Sequence, residues 1–300
     1  MRITQSMLAS NSLRHLSNSY LKMGKYQDQL STGKKITKPS DDPVVAMKGM
    51  FYRSDLTGVD QYKRNTSEMH LWMDNSEAGL EQANSALQRI RELVVGGNNG
   101  TLSPTDRQAI ASEVEQLKQD LVKTANTQVA GRYIFHGTDV LNPPVADGTP
   151  PVVATNITDS AQLKVIDNYQ VEVANGVYLK ANVNPGNAFS QELFTTVDNI
   201  QKALANNTPS NLDSLLGELD NEMSIISSER SELGARSNRL DMVENRIDQQ
   251  EVLANQVLSD NEDADIEKVI MDMTTQESVH RAALSVGSRI IQPTLMDFLR

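Results

Sequence analysis

The chain has 300 residues, 38% of them hydrophobic and only 4% aromatic, with no cysteine and a formal net charge of −11. Disulfides and thiolate metal sites are therefore excluded, and the acidic balance is wrong for nucleic acid or an anionic membrane, whose phosphates call for clustered Lys and Arg. Apolar content carried by Leu, Ile, Val, Met and Ala rather than by rings suits helices packed along long seams better than one large globular core.

Proline interrupts helices, so the ten prolines mark where long helices can run: residues 1–38, 44–103, 105–142 and 210–292. In the first interval Leu13, Leu16, Tyr20, Met23, Gln27 and Leu30 alternate steps of three and four and form one stripe, polar only at Gln27. The lone basic cluster, Lys34, Lys35 and Lys38, is followed at once by Asp41 and Asp42. Gly33-Lys34-Lys35 fails as a phosphate loop, because Asp28 stands where the first glycine belongs and no Ser or Thr follows the lysine. Asp41 and Asp42 read as a turn and helix cap ahead of Pro43, since adjacent carboxylates rarely converge on a substrate.

The second interval repeats the helical stripe through Met69, Met73, Ser76, Leu80, Ala83, Leu87, Ile90 and Val94, and Gly96, Gly97 and Gly100 stop it. Ser103 as N-cap with Pro104 at the first helical position starts a third helix, which places Ile110, Val114, Leu117 and Leu121 on one side and ends before Gly131. Arg132 to Phe135 leads out as a short strand. Between 143 and 191, which holds half of the prolines, the period changes to two: Tyr169, Val171 and Val173 alternate, then Asn175-Gly176, then Val177, Leu179, Ala181 and Val183. That pattern predicts a hairpin within a small β-rich insert.

The fourth interval carries a column of apolar residues every seven positions: Leu212, Leu219, Ile226, Leu233, Leu240, Ile247 and Ala254. A helix over 210–258 would be on the order of 70 Å long and would need partner helices along its length, for which the second and third helices are the candidates. Asp260, Glu262, Asp263, Asp265 and Glu267 lack the glycine and ligand order of a calcium loop and read as a solvated acidic linker. Beyond it Ile266, Ile270, Met273, His280, Leu284 and Ile291 make a looser stripe, broken by Glu277 and Gly287. The four histidines, His15, His70, His136 and His280, stand at no metal-ligand spacing, and no nucleophile, base and orienter can be assembled. No catalytic residue, cofactor or metal site is expected, and the chain reads as a structural protein rather than an enzyme. Met1–Ser10 has no charged stretch leading into an apolar run, and no segment approaches 18 apolar residues. By itself this favours a cytoplasmic coiled-coil scaffold.

Several segments, in order, resemble one family. Leu30-Ser31-Thr32-Gly33-Lys34-Lys35-Ile36 followed by Pro39-Ser40-Asp41-Asp42-Pro43 resembles the N-terminal signature of the bacterial flagellin-like proteins. The intact Pro39-to-Pro43 segment, Ala125-Asn126-Thr127 and Gly131-Arg132-Tyr133-Ile134-Phe135-His136-Gly137-Thr138 are more similar to the hook-filament junction branch of hook-associated proteins than to flagellin. Leu233-Gly234-Ala235-Arg236-Ser237-Asn238-Arg239-Leu240 resembles the signature of the long C-terminal helix, and Leu295-Met296-Asp297-Phe298-Leu299-Arg300 the short apolar ending.

The resemblance implies a mainly α fold with a β-rich insert, in an elongated flagellin-like architecture. Residues 1–40 and 262–300 would form a helical assembly domain from both chain ends, 41–138 and 192–261 a helical-bundle rod, and 139–191 an inserted outer β domain. It implies export by the flagellar type III apparatus without a cleaved signal peptide, an extracellular place in the flagellum, and a structural role joining hook to filament. Implied partners are copies of the chain, a hook-associated neighbour, flagellin, and an export chaperone on the C-terminal helix; nucleic acid and membrane are not among them. A flagellin-type filament subunit is the nearest alternative.

Overall fold

The computed structural model describes residues 5–99, 102–167, 169–208 and 211–291. Its elements run α1 (Gln5–Thr32), α2 (Pro43–Gly97), α3 (Pro104–Ala125), β1 (Gln128–Val129), β2 (Arg132–Tyr133), β3 (Val145–Ala146), β4 (Val152–Val153), α4 (Thr155–Thr158), α5 (Ser160–Ile166), β5 (Gln170–Ala174), β6 (Val177–Lys180), α6 (Pro185–Ala188), α7 (Gln191–Ala205), α8 (Leu212–Glu262) and α9 (Ile266–Ile291). The fold is mainly α, with three separate two-stranded antiparallel ladders among the described residues. Two compact units result: residues 59–249, and residues 1–58 with 250–300. Helices α2 and α8 have residues in both.

The larger unit is a bundle of α2, α3, α7 and α8 whose cross-links show each neighbouring pair to be antiparallel. Between α2 and α8, Lys63 meets Asp248 (2.9 Å), Arg230 donates to Glu77 (3.0 Å) and Arg91 donates to Asp220 (2.7 Å), one partner number rising as the other falls. The same holds for Arg89 with Glu113 and Arg107 with Gly97 across α2 and α3, for Lys118 with Asp198 and Arg107 with Asn207 across α3 and α7, and for Ser190 with Glu222 and Thr196 with Glu218 across α7 and α8. Within this cage the apolar stripes meet. On α2, Met69, Met73, Leu80, Ala83, Leu87, Ile90 and Val94 are buried, and the Ser76 hydroxyl among them donates to the Trp72 carbonyl (2.9 Å), while the buried Trp72 Nε1 has no hydrogen-bond partner. On α8, Leu212, Leu219, Ile226, Leu233, Leu240 and Ile247 are all 2% exposed or less.

The ends of these helices follow from local chemistry. Ser103 Oγ accepts from the Asp106 amide (3.2 Å) while Asp106 accepts from the Ser103 amide (3.3 Å), with Pro104 opening α3, a complete capping box. Arg107, buried, donates to the carbonyls of Gly97 (3.1 Å) and Asn99 (3.0 Å) and reaches Asn207, fastening the ends of α2, α3 and α7. Lys118 and Asp198 form an enclosed ion pair, 2.9 Å apart and 3% and 1% exposed. Glu115 and Lys202 complete its network.

Residues 126–190 return the chain from α3 to α7. Asn126 acts as a surrogate strand: its amide donates to the Val145 carbonyl (2.8 Å) and its side-chain oxygen accepts from the Val145 amide (3.2 Å). Ile134, Phe135 and His136 are buried; Phe135 meets Phe189 edge-on at 4.9 Å, and both His136 nitrogens are engaged, by the Asn142 carbonyl (2.7 Å) and Asn156 (2.9 Å). The resemblance segment at 131–138 is thus a packing unit. β5 and β6 form the hairpin expected around Asn175-Gly176, bulged between Glu172 and Ala174. The alternation from Val177 to Val183 stops being a strand at Lys180, although Ala181 and Val183 stay buried. Residues 155–166 are helical turns that period-two reading does not foresee.

Because Ile226 has no solvent exposure, replacing it with Ala should cost about 2–5 kcal/mol of stability, and with Glu more, since the charge would have no partner. Urea unfolding of the two variants beside the parent measures this; an unchanged midpoint would contradict the seam.

Candidate assembly interface

The smaller unit pairs α1 with α9. Ser19, only 6% exposed, receives a hydrogen bond from Gln276 (2.7 Å) and contacts His280 Nδ1 (3.2 Å). The Leu16 side chain lies beside Gly287, and Lys34 pairs with Asp263, so the two helices are antiparallel. The layer of Ser19, Gln276 and His280 has polar partners in only one alignment and so sets the register, as a polar position does in a coiled coil.

That register splits the two apolar stripes. Leu16, Met23 and Leu30 on α1 and Met273 on α9 are half-buried. Leu13, Tyr20, Ile266, Ile270 and Leu284 stay 60%, 69%, 41%, 48% and 49% exposed, although the Tyr20 ring reaches His280 of α9, with centroids 6.4 Å apart. The Ile291 side chain and residues 292–300, including the apolar ending, lie outside the described residues. Further exposed apolar residues join them: Leu21 on α1, and Met271, Val279 and Val286 on α9. A two-helix pair has one shared seam, and residues on the far faces cannot reach it. Val44, Met47 and Phe51 on α2 are also exposed, and their spacing of three and four, readable in the sequence, places them on one face.

The signature residues build the junction beside this pair. Gly33 closes α1 in the left-handed conformation (φ +69°), its amide bonded to the Gln29 carbonyl (2.8 Å). The chain then runs against the α8–α9 connection: the Lys35 amide donates to the Glu262 carbonyl (2.7 Å) and the Ala264 amide to the Gly33 carbonyl (2.8 Å). Asp41 accepts from the Lys38 amide (3.1 Å), and the Lys38 and Thr37 amides hold its carboxyl below the usual range. Asp42 accepts from the amides of Val44 (3.0 Å) and Val45 (3.2 Å) with Pro43 opening α2, which is the turn and cap expected. Pro39 and Ser40 are exposed in the turn.

One expectation is overturned. The acidic run is not wholly solvated, for the Glu262 side chain is 4% exposed and bonds Lys34 Nζ (2.8 Å) and Arg53 Nε (2.8 Å). Burial alone would raise its pKa, but the two cations outweigh burial and hold it below the ordinary value. Gly49 leaves room for it, since a Cβ there would lie 2.3 Å from Glu262 Oε1. Sequence reasoning missed Glu262 because its partners are 209 and 228 residues away; the only local signal was one carboxylate among five.

The sequence matches the family models described as bacterial flagellin N-terminal helical region, over residues 3–139, and bacterial flagellin C-terminal helical region, over 216–299. It is 30% identical over 211 residues to flagellar hook-associated protein 3 of Escherichia coli strain K12, covering 68% of this chain and 67% of that protein. Its fold is similar to that of a flagellar hook-associated protein from Vibrio parahaemolyticus, with a TM-score of 0.65 and 22% identity over 74% of this chain and all of that one. A flagellar junction protein from Legionella pneumophila matches with a TM-score of 0.56 and 16% identity over 72% of this chain and all of that one.

Glu262→Gln should lower protection of the Lys35 and Ala264 amides by about 1–3 kcal/mol, at the low end because Lys34 and Arg53 are half in solvent. A lowered carboxylate pKa stabilises the fold fully above the unfolded value, ordinarily 4.5, and the contribution is lost as pH falls through the folded value. Hydrogen exchange across that range should therefore show protection of the Lys35 and Ala264 amides falling with acid in the parent and much less change in Glu262→Gln.

Proposed function

Since this chain belongs to the flagellar hook-associated protein 3 family, within the flagellin-like superfamily, we propose that it is the structural adaptor that joins the flagellar hook to the filament. The observation that carries this reading is the exposed apolar face of the paired terminal helices, centred on Leu13, Tyr20, Ile270 and Leu284. Exposed apolar groups on two sides of a helix pair are stabilised by neighbours, and a symmetric or stacked assembly supplies them. The neighbours are further copies of the chain, a hook-associated protein on one side and flagellin on the other. Assembly uses no substrate or cofactor, and the chain is not an enzyme. Its place is extracellular, reached through the flagellar type III apparatus, with an export chaperone covering the C-terminal helix beforehand.

Residues 1–40 and 262–300 serve as the assembly domain in this scheme, 41–138 and 192–261 as the rod, and 139–191 as the outward insert. Leu16, Met23, Leu30 and Met273 hold the terminal pair together; Leu13, Tyr20, Ile266, Ile270 and Leu284 face subunits.

Deleting the gene tests the role. Loss of a junction protein releases flagellin monomers into the medium, whereas loss of a filament subunit leaves none to release. The double variant Leu13→Ser, Leu284→Ser should keep monomer stability within about 0.5 kcal/mol of the parent, because both positions are exposed. In the deletion strain it should nevertheless fail to restore motility. Full restoration would contradict an assembly role for these faces.

A further inference from the structure

Outside the terminal pair, the larger unit holds a side-chain cluster that assembly leaves unexplained. His70 on α2 turns Nε2 toward α8, where it stands 3.1 Å from Glu244 Oε2 and 3.6 Å from Asp241 Oδ1. The ligand atoms of the three residues all lie within 4.8 Å of one another. Asp241 and Glu244 are three apart on one helix and so share a face. Leu240 and Val243 beside them, and Met69 and Met73 beside His70, are buried in the bundle core. The cluster is therefore mounted on two helices whose spacing the core fixes.

From these distances we propose that His70, Asp241 and Glu244 form a binding site for a divalent transition-metal ion, Zn²⁺ in the first instance, that ties α2 to α8. A neutral imidazole offers Nε2 either as one N–H donor or as one lone pair. As a donor it serves Glu244, while Asp241 lies beyond hydrogen-bond reach and two negative charges face a single proton. As a lone pair, together with one oxygen from each carboxylate, it completes a three-point set whose two negative charges a divalent ion balances.

Metal bonds of about 2.0–2.2 Å at tetrahedral or octahedral angles separate neighbouring ligand atoms by roughly 2.8–3.6 Å. The observed 3.1 and 3.6 Å from His70 fall in that span, and the two carboxylate oxygens lie within 4.8 Å of each other, so rotation of the half-exposed Asp241 and Glu244 side chains is enough to close the set on an ion. One nitrogen and two oxygens favour Zn²⁺, Co²⁺ or Ni²⁺ over Ca²⁺ and Mg²⁺, which take oxygen shells. The Asp241 and Glu244 side chains are 54% and 38% exposed, which leaves the remaining coordination positions to water.

The test uses the full chain, stripped with a chelator and desalted. Isothermal titration with ZnCl₂ should give one site per chain and the bound form should melt at a higher temperature; Co²⁺ should give a visible absorption band. His70→Gln and Glu244→Gln should each weaken Zn²⁺ binding by roughly tenfold or more, while His15→Gln, at an exposed position on α1, leaves it unchanged. Circular dichroism confirms that each variant is folded, and the exposed position of Glu244 keeps the test valid if His70→Gln is not. No binding by the parent up to about 1 mM Zn²⁺ would reduce the cluster to an ordinary histidine–carboxylate contact and overturn the proposal. Equal binding by the parent and both site variants would overturn it as well, by placing the ion elsewhere.

Discussion

The carboxylate of Glu262 is the point at which the two ends of the chain are fastened. It leaves water because Lys34 and Arg53 bond it from two directions and because Gly49 has no side chain to exclude it. A charge buried to this degree without partners would be strongly destabilising, so each of the three neighbours is required by the one in the middle. The backbone follows: Lys35 and Gly33 pair with Glu262 and Ala264, which places the end of α1 beside the start of α9. From that junction the two helices run antiparallel, and the Ser19, Gln276 and His280 layer holds them in one alignment.

What this alignment leaves outside matters as much as what it encloses. Rotating α1 by a fraction of a turn to bury Leu13 would cost Ser19 its partners Gln276 and His280. The observed choice keeps polar atoms satisfied within the pair and leaves apolar side chains to solvent. In an isolated globular domain that arrangement would be a fault, because exposed apolar faces promote association. In the assembly proposed above, neighbouring subunits cover those faces.

The larger unit solves the opposite problem. Its four helices bury their apolar stripes against one another, and their charged residues form cross-links along the outside, as Arg91 with Asp220 and Lys63 with Asp248 do. Exposed pairs of this kind add little stability individually. Their consistent antiparallel order shows instead that α2 and α8 keep one register through the whole unit, which is what sets His70 opposite Asp241 and Glu244.

Much of this was legible in the sequence where the signal is local. Helix starts at Pro43 and Pro104, the cap at Asp42, the apolar stripe of α2 and the heptads of α8 depend on residues within a few turns of each other, and spacing alone exposes them. The Asn175-Gly176 hairpin is likewise a contact between near neighbours. Tertiary structure decided what depends on distant pairs. It buried Glu262, which reads as one more solvated acid, because Lys34 and Arg53 arrive from the other end of the chain. It also determined which side of α1 and α9 faces inward, since a broad amphipathic stripe allows several rotations and only the polar partners of Ser19 select one. Periodicity determines that a helix has an apolar face; for α1 and α9, which neighbour covers that face is set by side chains more than two hundred residues away.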